Sequence, residues 1–297
     1  MNFKEIWSFI KQLFSEYSEN KVPKLGASLA YYTIFSIAPL LIIAIAVAGF
    51  IFGKDAAQGQ LSGQLKSLVG NEGAILIQTA IQNSSNVSSG IIATLVSILT
   101  LIIGATAVFI EIQDSLNTIW KVRPRSEKPF KDFFRTRLTS FILVVGMGFL
   151  LMVSLIVSAA ISALTDLIDK YLSVPGYVFQ LIDIVLSLSV IFVLFSMIFK
   201  LLPDVELKWK DVRTGALFTT ILFVVGKYLI GLYLGKSSVS SVYGAASSLA
   251  IILVWIYYSS QILYLGAEFT YVYVQRYGPG VKPSAYADIV TVQKITK

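Results

Sequence analysis

The chain contains no cysteine and no histidine, and only 14% of its 297 residues are charged. Without cysteine it has no disulfides, thiolate metal sites or cysteine nucleophiles, and without histidine it has no imidazole bases or imidazole-ligated metals. Because the sequence also has no nucleophile motif and no metal-ligand spacing, we expect no metal, no cofactor and no enzymatic activity. Since an average globular domain has about 25% charged residues, the low charge content also argues against a soluble fold.

In place of charge the chain has long hydrophobic runs, and 56% of its residues are hydrophobic. Six runs are long enough to cross about 30 Å of hydrocarbon at about 1.5 Å per helical residue. They are Gly26–Phe52, Gly90–Ile110, Leu138–Leu164, Tyr177–Phe199, Thr214–Leu234 and Ala245–Val274. The runs are too long and too uniformly apolar for barrel strands. The sequence therefore predicts an all-α, polytopic membrane protein with six transmembrane helices.

Lysine and arginine are unevenly distributed between the two sides of this predicted bundle. Nineteen of the 24 lie before the first run, after the second, after the fourth or after the sixth. The other side holds four, and Lys227 lies within a run. The positive-inside rule then places both termini in the cytoplasm. Because topology and anionic lipids explain the net charge of +7, we expect no nucleic-acid partner.

The chain divides into three parts. Residues 1–24 have the apolar periodicity of an amphipathic helix, which either lies on the inner leaflet or packs against the cytoplasmic loops. Residues 25–277 form the transmembrane bundle, with an outer loop of two short helices at 54–89 and a basic inner loop at 121–137. Residues 278–297 contain two prolines and no helical periodicity, which predicts a flexible cytoplasmic tail.

Polar side chains recur at helical spacing within the apolar runs. Gln261, Tyr264 and Glu268 share one face of the sixth run, for example. Small and hydroxyl residues in such stripes are explained by helix packing, but ionisable residues in a membrane tend to mark function. The candidate residues of a substrate or ion pathway are Glu111, Asp114, Asp183, Lys227, Gln261, Tyr264, Glu268 and Tyr32.

The depth of each charge in the membrane decides which charges can meet. Asp183 and Lys227 both lie near the outer surface, and we predict an outer salt bridge between them. Glu111, Asp114 and Glu268 lie near the inner surface and are predicted to form an inner acidic group. This group either locks helix ends through basic or tyrosine partners, or forms a proton or cation site.

The loop "KVRPRSEKPFKDFFRTR" at 121–137 is strongly basic. Positive-inside anchoring accounts for its composition, and a binding site for the phosphates of lipid headgroups is the alternative. The candidate headgroup contacts are Arg123, Arg125, Lys128, Lys131, Arg135 and Arg137.

Several long motifs resemble one known family. The motifs include "GATAVFIEIQDSLNTIW" at 104–120, "SVYGAASSLAIILVWIYY" at 241–258 and "SSQILYLGAEFTYVY" at 259–273, and they are similar to the YihY/virulence factor BrkB family of bacterial inner-membrane proteins. The resemblance implies a multi-pass protein of the bacterial inner membrane with six spans and both termini inside. It also places Glu111, Lys227 and Glu268 at the family's characteristic charges. Members long carried the label ribonuclease BN, but a zinc-dependent nuclease needs histidine ligands that this chain lacks.

The polar stripes and the resemblance together favour transport. Because the family is associated with the export of envelope lipids, we expect a transporter or translocase of an amphiphilic, lipid-like envelope substrate, with membrane lipids as partners. The alternative is a non-transporting envelope scaffold or assembly partner, in which the stripes serve packing alone. The sequence leaves open a protein partner or a homo-oligomer.

Overall fold

The computed structural model describes residues 3–85, 91–125, 177–236 and 246–290, with six single positions between 138 and 150. Apart from one small sheet, the regular elements of these residues are helices, which confirms the predicted all-α fold. In chain order the elements are α1 (Phe3–Glu19), α2 (Val22–Phe52), α3 (Lys54–Ser85), α4 (Ile91–Ile119), β1 (Val122–Pro124), α5 (Tyr177–Leu201), α6 (Trp209–Lys236), α7 (Ser247–Tyr277) and β2 (Ala287–Ile289).

Five of the described helices are long and apolar enough to cross a membrane. The crossing stretches are Val22–Val47 in α2, Leu99–Ile119 in α4, Ile184–Leu201 in α5, Trp209–Tyr233 in α6 and Ser247–Tyr277 in α7. They correspond to the first, second, fourth, fifth and sixth predicted runs. The third predicted run, Leu138–Leu164, lies almost entirely outside the described residues, so the number of six spans stays a prediction.

The segment predicted as an outer loop with two short helices is instead the long helix α3. Leu61, Leu65 and Ile77 are buried in a cluster with residues of α2 and of the first half of α7. The prediction of two helices was wrong because polar residues and glycines were interpreted as breaks. A glycine inside a helix costs about 1 kcal/mol relative to alanine, and the packing against α2 and α7 offsets this cost.

Helix α7 is the central element of the described bundle and contacts α1, α2, α3, α4 and α6. Where α7 crosses α6, each helix contributes one glycine and one threonine. Gly215 of α6 faces Thr270 of α7, and Gly266 of α7 faces Thr219 of α6. Each threonine hydroxyl donates to the carbonyl of the glycine four residues earlier, at 2.7 Å in both helices. Small residues at such a crossing allow close backbone approach in a membrane. The crossing fixes the rotation of α7 and so decides which of its side chains face the other helices.

One end of the bundle carries a small sheet in which β1 pairs antiparallel with β2, with Val122 opposite Ile289. Backbone hydrogen bonds join residues 201–208 to residues 278–290 in the same layer. We call β1, residues 201–208 and residues 278–290, which include β2, the sheet end of the bundle. The first part of the predicted flexible tail is therefore paired backbone. Helical periodicity could not detect this pairing, because an extended segment after a proline pairs through its backbone groups and leaves no helical pattern in its side chains.

Candidate functional site around a buried glutamate

Glu268 lies on α7 and is completely buried, with 0% of its surface exposed. Asn20, in the short link between α1 and α2, donates through Nδ2 to Oε1 of Glu268 at 2.7 Å. The second oxygen, Oε2, has no hydrogen-bond partner among the described residues. Leaving a buried carboxyl oxygen unpartnered is costly, so a glutamate kept at this position is the natural centre of a functional site.

A lysine lies near this glutamate but bonds to a different carboxylate. Lys121 Nζ lies 2.7 Å from Glu16 Oε2, and it also lies over the Tyr271 ring, 5.6 Å from the ring centroid. Burial lowers the pKa of the Lys121 ammonium, but its hydrogen bond to Glu16 and the charges of Glu16 and Glu19 outweigh burial and raise that pKa above the usual lysine value. The ammonium therefore stays charged and bound to Glu16.

Helix α1 is bound to α7 by polar side chains in its middle and near its carboxyl-terminal end. The Tyr17 hydroxyl donates to Gln261 Oε1 at 2.5 Å, and Arg276 Nε donates to Gln12 Oε1 at 2.7 Å. Burial, with a smaller effect of Tyr257, raises the pKa of the Tyr17 hydroxyl, so it stays a neutral donor. Gln261 and Arg276 are separated by about 22 Å along α7 at 1.5 Å per residue. Helix α1 therefore covers most of the stretch of α7 that carries Glu268.

The two faces of α1 have different environments. Phe9 is buried and packs edge-on against Phe269 of α7, with 5.2 Å between the ring centroids. On the opposite face Phe3, Trp7 and Phe14 are exposed by 82%, 64% and 61%. The sequence left open whether α1 lies on the membrane or packs on the protein. The structure has α1 packed on α7, and an exposed aromatic face remains.

Three polar residues on one face of α7 each keep a buried polar atom without a hydrogen-bond partner among the described residues. The atoms are Gln261 Nε2, the Tyr264 hydroxyl and Glu268 Oε2. Ser115 of α4 is a polar neighbour of the Tyr264 hydroxyl, yet neither hydroxyl makes a hydrogen bond of standard geometry. We call Gln261, Tyr264 and Glu268 the α7 polar column, which extends over about 10 Å.

The predicted inner acidic group is divided between two places. The charges close to Glu268 are those of Glu16, Glu19 and Lys121. Glu111 and Asp114 lie instead on α4, where Asp204 is the further carboxylate near Asp114. Depth along a helix does not specify the direction in which that helix turns its side chains. Among the described residues, no group of three or more acidic side chains is close enough to hold a metal ion.

The structure describes only one of the two side chains of the predicted outer salt bridge between Asp183 and Lys227. Asp183 lies on α5, and its side chain is outside what the structure describes. Lys227 is exposed on α6, so the ion pair stays a prediction. Tyr32 on α2 is 42% exposed and packs edge-on against Tyr31, with 5.7 Å between the ring centroids.

The basic loop is described at its beginning. Arg123 is exposed, whereas Arg125 pairs with Asp288 of β2 and holds the pKa of that carboxyl below its usual value. The headgroup site stays a prediction, because its remaining candidates lie outside the described residues. Those candidates are Lys128, Lys131, Arg135 and Arg137.

Sequence reasoning missed the residues that surround the α7 polar column. Glu16, Tyr17 and Asn20 come from α1 and its link, and Lys121 follows α4 directly. A signal was available, because Glu16 and Tyr17 lie four and three residues before Asn20, and these spacings place each of them beside Asn20 on a helical surface. What the spacing could not specify is that this face meets α7.

Most of the chain is similar in sequence to known proteins. Residues 13–288 match the family model described as Virulence factor BrkB. A putative ribonuclease-like protein, YfkH, of Bacillus subtilis is 26% identical over 88% of this chain and 93% of its own length. A UPF0761 membrane protein of Tolumonas auensis is 27% identical over 84% of this chain and 80% of its own length. No solved structure matches the chain.

Some relatives are considerably longer than this chain. A UPF0761 membrane protein of Psychrobacter is 26% identical over 89% of the chain, which spans 48% of that protein. For the Azotobacter vinelandii relative, the matched share of its length is 63%. The match to the family model covers most of the chain and agrees with five helices able to cross a membrane. The chain is therefore an integral membrane protein that belongs to the Virulence factor BrkB family.

Proposed function

We propose that the protein is a transporter or translocase of an amphiphilic, lipid-like envelope substrate. The observation that supports this proposal is the α7 polar column. A helix used for packing alone would satisfy or omit its buried polar groups, because each unsatisfied group costs about 1–3 kcal/mol. Gln261, Tyr264 and Glu268 instead keep three buried polar atoms without described partners. These atoms are available to a polar headgroup or to water that moves with it.

We also propose that the sheet end faces the bacterial cytoplasm and that the protein lies in the inner membrane. The segments before α2, after α4, between α5 and α6, and after α7 all contribute contacts at this end. These segments carry nineteen of the 24 lysines and arginines, which supports the orientation through the positive-inside rule. In this orientation the exposed aromatic face of α1 would lie against the lipids of the inner leaflet.

The orientation can be tested with introduced cysteines, because the chain has none of its own. Lys282→Cys at the sheet end and Lys66→Cys on α3 both replace exposed side chains. A membrane-impermeant maleimide should label the α3 cysteine in intact cells and the sheet-end cysteine after lysis alone. The reverse pattern would contradict the orientation.

We propose no enzymatic role, although one relative is called ribonuclease-like. Nuclease chemistry with zinc uses histidine and acidic ligands, and general-base chemistry is most often carried by histidine. This chain has no histidine and no cysteine. A carboxylate buried in a membrane helix is better suited to binding a proton or a polar group than to cleaving RNA.

The transport proposal is tested by the flux of headgroup-labelled fluorescent phospholipids between the leaflets of reconstituted vesicles, with and without a proton gradient. Wild-type protein should raise the flux above that of protein-free vesicles. Glu268→Ala should lower it by about tenfold or more, as expected when a buried interaction of about 1.4 kcal/mol or more is lost from the rate-determining state. Glu206→Gln changes an exposed carboxylate in the sheet-end turn and is the matched control.

Two further variants distinguish the polar column from general packing. Tyr264→Phe removes one hydroxyl with little change of volume, and Lys227→Ala removes the exposed charge on α6. The proposal expects a loss of flux in Tyr264→Phe. Flux equal to that of protein-free vesicles for wild type, together with a stable co-purifying protein, would favour the envelope scaffold instead.

A further inference from the structure

Helix α1 is connected to α2 by a short and conformationally unusual link. Helix α1 ends at Glu19 and α2 begins at Val22. Between them, Lys21 adopts the left-handed conformation with φ 52° and ψ 44°. A non-glycine residue in this region carries a conformational cost, and the surrounding contacts must maintain it. The link is therefore a natural hinge, and α1 stays on α7 only as long as its side-chain contacts hold.

The contact nearest the hinge is the hydrogen bond from Asn20 to Glu268, at 2.7 Å. Its geometry suits a neutral carboxyl group, because the second oxygen is buried without a described partner and Lys121 is already bound to Glu16. An ionised carboxylate in this position would lack both water and a bonded cation, and such burial of an unpaired charge is strongly unfavourable.

The charges around Glu268 also favour a neutral carboxyl group at this position. Helix α1 contributes two carboxylates, Glu16 and Glu19, whereas the end of α4 contributes one ammonium, Lys121. From α7 itself the Tyr271 hydroxyl faces the same space. Gly215 and Thr219 of α6 and Gly26 of α2, which contact α7 along this stretch, carry no charge. Ionisation of Glu268 would therefore place a third carboxylate near a single ammonium that is already paired.

We propose that Glu268 is a proton-binding site whose occupancy holds α1 on α7. In the protonated state the neutral carboxyl accepts the Asn20 hydrogen bond and α1 is docked. When the proton leaves to water at the sheet end, the carboxylate requires solvation, and α1 moves away about Lys21 to admit water. Rebinding of a proton restores the docked state. The switch needs no transported substrate, so it can be examined apart from lipid flux.

The test is a distance measurement between two spin labels on the full chain in lipid nanodiscs, without added substrate. Ser15→Cys on α1 and Lys210→Cys at the start of α6 replace exposed side chains, and the chain has no other cysteine. At about pH 6 we expect one short distance, and at about pH 9.5 a second, longer population that returns to the short one on reacidification. Glu268→Gln, which is permanently neutral, should keep the short distance at both pH values.

Two further variants keep the proposal testable even if Glu268→Gln folds poorly. Glu19→Gln removes a nearby negative charge, so ionisation of Glu268 becomes easier and the transition should move to lower pH. Glu206→Gln changes an exposed carboxylate that is not among the charges close to Glu268, and it should behave as wild type. A wild-type distance that does not change with pH, or an unchanged transition in Glu268→Gln, would overturn the proposal. Either result leaves the flux measurement on wild type to decide the transport proposal separately.

Discussion

Gly266 of α7 and Thr219 of α6 are in direct contact, and a Cβ atom placed on the glycine would come within 1.9 Å of the threonine Oγ1. The same relationship recurs in the opposite direction between Gly215 and Thr270, where the distance is 1.7 Å. This paired crossing holds α6 and α7 together and sets the rotation of α7. As a result Tyr264 and Glu268 face α4 and α1.

The first prediction concerns this crossing. Gly266→Ala places a methyl group where Thr219 already lies, and we expect the free energy of unfolding to fall by about 1–3 kcal/mol, the usual cost of overpacking. Gly231→Ala is the matched control, because nothing lies within 4 Å of a Cβ at that helical glycine. Thermal unfolding in detergent should show a lower midpoint for Gly266→Ala and an equal or higher one for Gly231→Ala. Equal effects of both changes would contradict the close crossing.

The second prediction is a pH dependence of the contact between Lys121 and Glu16. The pKa of the lysine is raised above its ordinary value, so the folded state holds this proton more tightly than the unfolded chain does. The stabilisation is therefore complete below the ordinary lysine pKa and is lost as pH rises through the raised value. Lys121→Met should remove this part of the alkaline decrease in stability.

The matching measurement is chemical unfolding of Glu268→Gln with and without Lys121→Met between about pH 8 and pH 12, near the ordinary lysine range, because α1 stays docked on α7 in the Glu268→Gln background. The difference in stability between the two proteins should be constant at the lower end and shrink at the upper end. A difference that grows with pH would be inconsistent with the ion pair. Lys210→Met, which changes an exposed lysine on α6, is the control.

The third prediction concerns Asn117, which joins α4 to the sheet end. Its Nδ2 donates to Asp204 Oδ2 at 2.9 Å, and its Oδ1 accepts from the Asp204 backbone N–H at 2.8 Å. Asn117→Ala should lower the free energy of unfolding by about 1–3 kcal/mol, because it leaves polar groups without this partner. The neighbouring Thr118→Ala removes an exposed hydroxyl bonded within its own helix and should change stability by less than about 0.5 kcal/mol.

The fourth prediction returns to the proposed outer ion pair of Asp183 and Lys227. If the two side chains interact, Asp183→Asn and Lys227→Met should each weaken the protein, and the double variant should cost less than the sum. Unfolding measurements on the four proteins of this double-mutant cycle give the coupling energy. Simple additivity would show that Lys227 faces lipid or water without Asp183 as its partner.

Sequence reasoning identified Glu268 but missed its neighbours, and the reason is physical. Glu268 was singled out because a carboxylate in a long apolar run is costly wherever its helix packs. Asn20 and Lys121 were not, because a polar residue in a helix link or after a helix end is ordinary until a partner is known. Grouping Glu111 with Glu268 by depth failed to specify direction, since residues at one depth can lie on different sides of their helices.

The sequence by itself determined that the chain is helical and crosses a membrane, because the length and apolarity of a run are properties of consecutive residues. It also identified the family, through motifs that stay contiguous along the chain. The tertiary structure alone decided that α1 covers Glu268, that α3 is one helix, and that the sheet end includes the chain after α7. Those features depend on helix rotation and on backbone pairing between distant segments, and no local spacing of residues encodes either one.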